Sequence, residues 1–408
     1  MKIHYSRIAA LIISLVLLNL ADSFACTSVI VSAKATASGK PLMFKNRDTG
    51  ELNNRIEYFQ GPEYTFIGLV NSPVKDGIPE VWTGTNSVGF SIMNTASYNI
   101  KDDDVPYSEM DREGEVMYKA LGICSTLEDF ENLLDTLKRP MGVEANFGVI
   151  DAFGGAAYYE VNNHKWIKYD VNEAECGYRV MTNFSESGDP DKYQGWDRYC
   201  TASAVMKELQ RNEEGKYDID HRFFFSDFSR SYRQENLGIK DLKDKDSYED
   251  NNFIPRRSTS ASTVVEGVVP GDNPKYTVMW TVLGYPPCGI AVPMVVGKRD
   301  IIPFYMKKTE ESENSILCDN VLKVKYDYVF DTDKSEDGKY YLNSRNAYQL
   351  IECAQEVDSY IFGNFSDIYQ KWVFKDISSS EFYSQYIEIS NEYYDKYLSC
   401  FASFIKND

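Results

Sequence analysis

The residue best placed to do chemistry is Cys26, which follows directly on a stretch that reads as a removable leader. Lys2 and Arg7 give a positive start, residues 8–18 are apolar apart from Ser14, and Ser23-Phe24-Ala25 puts small residues at both cleavage-determining positions. Cleavage after Ala25 makes Cys26 the first residue and sets a free α-amine beside its own thiol. An α-amine titrates near about 7.7–8.0 and a thiol near about 8.5, so the amine suits removal of the thiol proton near neutrality. One residue then supplies both nucleophile and base. Such a centre still needs an anion to orient the ammonium and donors for the oxyanion of a tetrahedral intermediate. A second reading makes Cys26 the anchor of a surface lipoprotein. Against it, Ser23 stands where lipoproteins usually carry an aliphatic residue, and residues 27–32 begin a strand at once instead of a flexible tether. Retention of the leader as a membrane span is a third reading, but its apolar run is shorter than the roughly 20 residues a bilayer requires.

Composition removes several other classes. The formal charge of -19 on 408 residues repels phosphate backbones and anionic membranes, so neither a nucleic-acid partner nor stable membrane insertion after cleavage is expected. His4 lies in the leader, leaving His164 and His221 of three histidines, and neither stands in a catalytic motif. Both read as surface or packing residues, and a histidine-rich metal site is excluded. Cys124, Cys176, Cys200, Cys288, Cys318, Cys353 and Cys400 show no CxxC spacing, and no Gly-rich phosphate loop occurs. No metal and no cofactor is therefore expected. With Cys26 free, an odd number of cysteines remains, so at least one more thiol should be unpaired. An apolar share of 43% with 14% aromatic residues excludes a disordered chain.

The elements that must position Cys26 follow from the periodicity. Residues 27–32 and 41–45 read as a hairpin about the turn Ala37-Ser38-Gly39-Lys40, with Cys26 at its end. Further strands are expected at 66–70, 89–94, 146–151, 156–161, 166–169, 179–183, 276–283 and 290–296. One helix is expected over 115–137 and another over 198–209. Residues 212–257 read as a peripheral insertion and 258–263 as a polar loop. Beyond about residue 303 the pattern is helical, notably at 344–362 and 380–404, where the many tyrosines read as helix packing. Strands alternating with long helical blocks predict a layered α+β sandwich. The expected organisation is a leader over 1–25, a main domain over 26–300 and a mainly helical C-terminal extension over 301–408.

Cys26-Thr27-Ser28, Asn46-x-Asp48, Gly89-Phe90-x-x-x-Asn94, Met181-Thr182-Asn183 and Asp197-Arg198-Tyr199 occur in this order. Together they resemble the N-terminal-nucleophile amide hydrolases, in the branch of choloylglycine hydrolases, penicillin V acylases and acyl-coenzyme A:isopenicillin N acyltransferases. The closeness of Asn183 and Arg198 makes the chain look most like the acyltransferase side. Residues 146–151 and 277–284 are also similar, and the resemblance covers about residues 26–296. It implies a four-layer αββα fold with Cys26 as nucleophile, its amine as base and Asp48 as partner of the ammonium. It further implies an oxyanion hole from the Asn183 side chain and the Asn94 backbone N–H, with Arg198 steadying the nucleophile and the carboxylate network.

The chain departs from that pattern at Lys45, where the choloylglycine branch usually has Arg; Lys keeps the charge but loses the planar fork. Arg47, between Asn46 and Asp48, faces the other way on a regular strand. Simpler readings exist for single positions: Asp48 before Thr49-Gly50 as a turn residue, and Asn94 and Asn183 as turn formers at strand ends. Asn183-Phe184-Ser185 is also a glycosylation sequon, and a glycan there would block the site. Arg198 at a helix start opposes the helix dipole, which favours a functional purpose. The expected function is an exported, periplasmic or secreted hydrolase of a linear amide C–N bond. Its substrate would be an N-acyl amino acid, bile-salt conjugate or penicillin-like small molecule, cleaved through an acyl-thioester on Cys26. Acyl transfer or dipeptidase action at the same site, and the surface lipoprotein, are the alternatives.

Overall fold

Two antiparallel sheets pack face to face between two helical layers in the computed structural model, which describes residues 25–74, 79–101, 105–242, 245–250, 252–330 and 339–405. The expected leader, up to residue 24, lies outside these residues.

The hairpin that carries Cys26 forms as expected from Thr27–Val31 (β1) and Leu42–Asp48 (β2), with Thr27 opposite Asn46 and Val29 opposite Phe44. Tyr178–Met181 (β10), Thr259–Glu266 (β12), Val278–Leu283 (β13) and Val292–Val295 (β14) complete a six-stranded sheet in the order β10-β1-β2-β12-β13-β14. The other sheet runs in unbroken chain order. Its strands are Asn54–Gln60 (β3), Thr65–Asn71 (β4), Thr83–Asn86 (β5), Ser91–Ala96 (β6), Ala145–Ile150 (β7), Ala156–Val161 (β8) and Trp166–Asp170 (β9). A short ribbon pairs Ser247–Glu249 (β11) with Tyr341–Asn343 (β15).

Strand period 2 decides what each face of β2 does. Phe44 points to the outer helical layer, where it stacks on Phe224 at 5.0 Å and meets Phe228 edge-on at 5.2 Å. Asn46 and Asp48 share that face. Met43, Lys45 and Arg47 point the other way, between the sheets. There Tyr158 of β8 donates to Ser28 Oγ at 2.9 Å, tying the sheets together.

Glu113–Ile123 (α1) and Leu127–Thr136 (α2) cover the seven-stranded sheet around Phe66, Phe130, Phe147 and Tyr159. Trp196–Glu208 (α3), His221–Phe224 (α4), Ile316–Val324 (α5), Ser344–Val373 (α6) and Ser379–Cys400 (α7) pack about the six-stranded sheet. The layers are thus αββα. Cys353–Cys400 links α6 to α7, and Cys26, Cys124, Cys176, Cys200, Cys288 and Cys318 are free thiols. No helix among the described residues is long and apolar enough to cross a membrane.

Four expectations are revised. The helix over 115–137 is two helices, because Thr126 stops the first path and starts the second: its side chain accepts from Asp129 N while Asp129 caps Thr126 N. The polar run 258–263 is strand β12, its hydroxyls held inside the protein by partners such as Ser229, which pairs with Ser262 at 2.6 Å. Residues 212–257 are not peripheral, since Phe224, Phe225, Phe228, Tyr232, Leu242, Phe253 and Ile254 are in the main core. Strands β3 and β5 were not expected; Asn54–Gln60 lacks alternation, and β5 contains Gly84.

Candidate active site

Cys26 is 7% exposed, and its free thiol borders a cavity of about 400 Å³ between the sheets. Lys45, Arg47 and Asp48 line this cavity from β2, Asn71 and Trp82 from β4 and the residue before β5, and Asn94, Ala96, Ser97 and Tyr98 from β6 and the residues after it. Asp111, Glu113 and Glu144 complete it near the start of α1.

Asp48 is buried, and both its carboxylate oxygens accept hydrogen bonds. Oδ1 accepts from Thr259 Oγ1 at 2.6 Å and Asn46 Nδ2 at 3.0 Å, and Oδ2 accepts from Arg256 Nε at 3.0 Å. A β-bulge between Thr259 and Ala261, facing Asp48 and Arg47, turns the Thr259 hydroxyl to the carboxylate. Burial raises the Asp48 pKa, while Arg256 and then Arg198 pull it back. Arg256 also reaches Ala25 O at 3.4 Å, so it spans the carboxylate and the residue before Cys26. Asp48 is therefore a structural carboxylate of the site, not a turn residue.

Arg198 lies behind Cys26. Its Nη1 donates to Cys26 O at 2.5 Å and Thr27 Oγ1 at 2.9 Å, and Nη2 donates to Asn183 Oδ1 at 2.8 Å. Burial lowers its pKa to about 10, leaving it cationic at neutrality. Asn183 Nδ2 donates to Ala96 O at 2.9 Å, at the cavity wall. With Asn183 fully buried, the sequon cannot accept a glycan in the folded chain. Gly195, at φ +76° before α3, has no room for a Cβ, which would strike the Arg198 guanidinium. Gly195→Ala is expected to move Arg198 and lower kcat at least about tenfold, on top of a stability cost of about 1–2 kcal/mol for a Cβ in the left-handed region. Parallel kinetics and thermal melts check this.

Cys26, Asp48 and Asn94 thus meet at the cavity, Arg198 holds the Cys26 carbonyl, and Asn183 links Arg198 to Ala96 of the cavity wall. Lys45 Nζ bridges the sheets, donating to Trp82 O at 2.7 Å and Asn94 Oδ1 at 2.8 Å. Burial lowers the Lys45 pKa to about 8. Arg47 faces away from Asp48 as strand geometry requires, and that direction is into the cavity. Sequence reasoning missed Arg256 and Thr259, which have no local signature and reach Asp48 only through the fold. His164 is exposed, and His221 is a packing residue stacked on Trp280 at 3.7 Å.

Glu113 is buried with its Oε1 accepting from Glu144 N at 2.9 Å. Burial raises its pKa from 4.5 to about 7, with Asp111 and Glu144 adding to the rise. The folded state therefore binds more protons than the unfolded chain between these values, and stability falls as pH rises through that window. Glu113→Gln is expected to flatten this slope, removing a penalty on the order of 3 kcal/mol above pH 7. Denaturant titrations at pH 5 and 7.5 read the difference.

No family model and no curated protein matches the chain. Among solved structures it is similar to a mutant conjugated bile acid hydrolase from Clostridium perfringens, at 13% identity and TM-score 0.40 over 66% of this chain and 92% of that one. It is similar to the Caenorhabditis elegans ortholog of N-acylethanolamine-hydrolyzing acid amidase, at 18% identity and TM-score 0.41 over 60% and 93%. It is also similar to penicillin V acylase from Agrobacterium tumefaciens, at 14% identity and TM-score 0.38 over 66% and 86%. With scores below 0.5, the geometry around Cys26 carries the functional reading.

Proposed function

We propose that the chain is an exported cysteine N-terminal-nucleophile hydrolase that cleaves a linear amide C–N bond in a small molecule. The observation that carries this reading is the free Cys26 thiol at a closed-in cavity, with Asp48 fixed by Arg256 and the Cys26 carbonyl fixed by Arg198. After leader removal, the Cys26 α-amine takes the thiol proton and the thiolate adds to the amide carbonyl. Asp48 orients the ammonium so formed, and Asn183 and the Asn94 N–H stabilise the oxyanion. Collapse breaks the C–N bond as the ammonium protonates the leaving amine, giving an acyl-thioester and neutral amine on the enzyme. Water, deprotonated by that amine, then releases the acid and restores the thiol.

An acceptor amine in place of water gives acyl transfer, and a peptide substrate gives dipeptidase action. Burial of the thiol at the start of a core strand favours the enzyme over the lipoprotein, because a lipid on Cys26 would have to thread the cavity. The test is intact mass and N-terminal sequencing of the chain from its native host, followed by quenched mixing with a panel of N-acyl amides. A chain beginning at unmodified Cys26 that gains an acyl mass on that residue is expected. An N-terminus elsewhere, or a lipid on Cys26, overturns the reading.

A further inference from the structure

Arg47 is 4% exposed and borders the same cavity as the Cys26 thiol. Its direct contacts are neutral, and the anionic groups that act on it, Cys26 as thiolate, Glu51, Glu80 and Asp48, form no ion pair with it. Nη2 donates to Asn71 Oδ1 at 2.7 Å, Nη1 donates to Ser260 Oγ at 3.2 Å, and the guanidinium lies 5.0 Å from the Trp82 ring centroid. Neither Arg47 nor its neighbour Lys45 forms an ion pair among the described residues. Burial lowers the Arg47 pKa to about 10, so it remains a cation at neutrality. A buried cation without an ionised partner is costly, and an incoming anion offsets that cost. A guanidinium with two donors already anchored and one face against an indole is also preorganised for a carboxylate.

The remaining walls tell which half of the substrate carries that anion. Glu51, Lys101 and Asp111 are the exposed lining residues and mark the mouth. The leaving amine must depart through the mouth while the acyl group stays bound as thioester, so the buried Arg47 side holds the acyl half. An anionic acyl end is directed to the β2 side, where Arg47 lies next to Lys45, because Asp111 and Glu144 repel it from the α1 side.

We propose that Arg47 is a specificity residue and that the substrate is an amide whose acyl group ends in a carboxylate, of the dicarboxylic monoamide class. The proposal rests on the hydrolase reading for turnover, but the anion seat can be tested apart from it. On the mature chain, alkylation of Cys26 by iodoacetate and iodoacetamide is compared, with the site assigned by peptide mass spectrometry against the other free thiols. Iodoacetate is expected to label Cys26 at least about tenfold faster relative to iodoacetamide than it labels a free thiol in solution, and glutarate is expected to protect. Arg47→Leu should abolish that bias and Arg47→Lys should retain part of it. A solution-like ratio together with no glutarate protection overturns the seat, and wild-type protection decides the matter even if Arg47→Leu fails to fold.

For turnover, glutaryl p-nitroanilide is expected to exceed pentanoyl p-nitroanilide about tenfold or more in kcat/KM, chiefly through KM, with Arg47→Leu erasing the preference. Equal wild-type values, or a parallel loss of both in Arg47→Leu, overturn the specificity role. Alkylation bias with neither anilide cleaved supports the seat and counts against the hydrolase reading.

Discussion

Cys26→Ala is expected to lower amide turnover by about 10³-fold or more while the fold persists. In the proposed mechanism the thiol is the attacking atom, so its removal leaves only substrate binding and oxyanion stabilisation. The backbone contacts of Cys26 survive the change, since Arg198 grips its carbonyl and β1 pairing begins at Thr27. Stability should therefore stay within about 1 kcal/mol of the parent. Cys26→Ser sharpens the test, because the hydroxyl keeps the shape and the α-amine but is a far weaker nucleophile at neutral pH. Steady-state turnover and thermal melts on the parent and both variants give the comparison. Parent-like turnover in Cys26→Ala would falsify the mechanism.

The largest expected effect on stability lies far from the thiol. Arg230 and Asp358 have side chains 1% and 3% exposed and pair at 2.6 Å between the 212–257 segment and helix α6. Each nitrogen and each carboxylate oxygen of the pair has a partner: Arg230 Nε donates to Pro286 O at 3.0 Å and Nη2 to Gly289 O at 2.9 Å, while Asp358 Oδ1 accepts from Ala291 N at 2.8 Å. Asp358→Ala leaves the guanidinium buried without its anion and is expected to cost about 3–5 kcal/mol. Replacing both charges, as Arg230→Met with Asp358→Leu, should recover most of that loss, because the uncompensated charge goes with its partner. Denaturant midpoints of single and double variants, with Cys353–Cys400 kept oxidised, measure the coupling. A double variant no better than Asp358→Ala would show that packing, not charge, sets the cost.

Much of this molecule is legible along the chain. The β1–β2 hairpin, the apolar strands β7, β8 and β13, and the helical C-terminal region follow from period and turn residues, which act within a few positions of each other. Cys26 after a stretch that reads as a leader, and Asp48 in Asn46-x-Asp48, are likewise local signals. Other parts depended on distant partners. The hydroxyl-rich β12 reads as a loop because only its tertiary neighbours satisfy its polar groups, and the 115–137 helix reads as continuous because Thr126 and Asp129 interrupt it without breaking the apolar spacing. The tertiary structure alone decided that Arg256 and Thr259 hold Asp48, and that Arg47 and Lys45 line the same cavity as Cys26. Sequence period fixes which side chains share a face. Which partner that face meets depends on strand register, a bulge and the stacking of two sheets, and these bring together residues more than 200 positions apart.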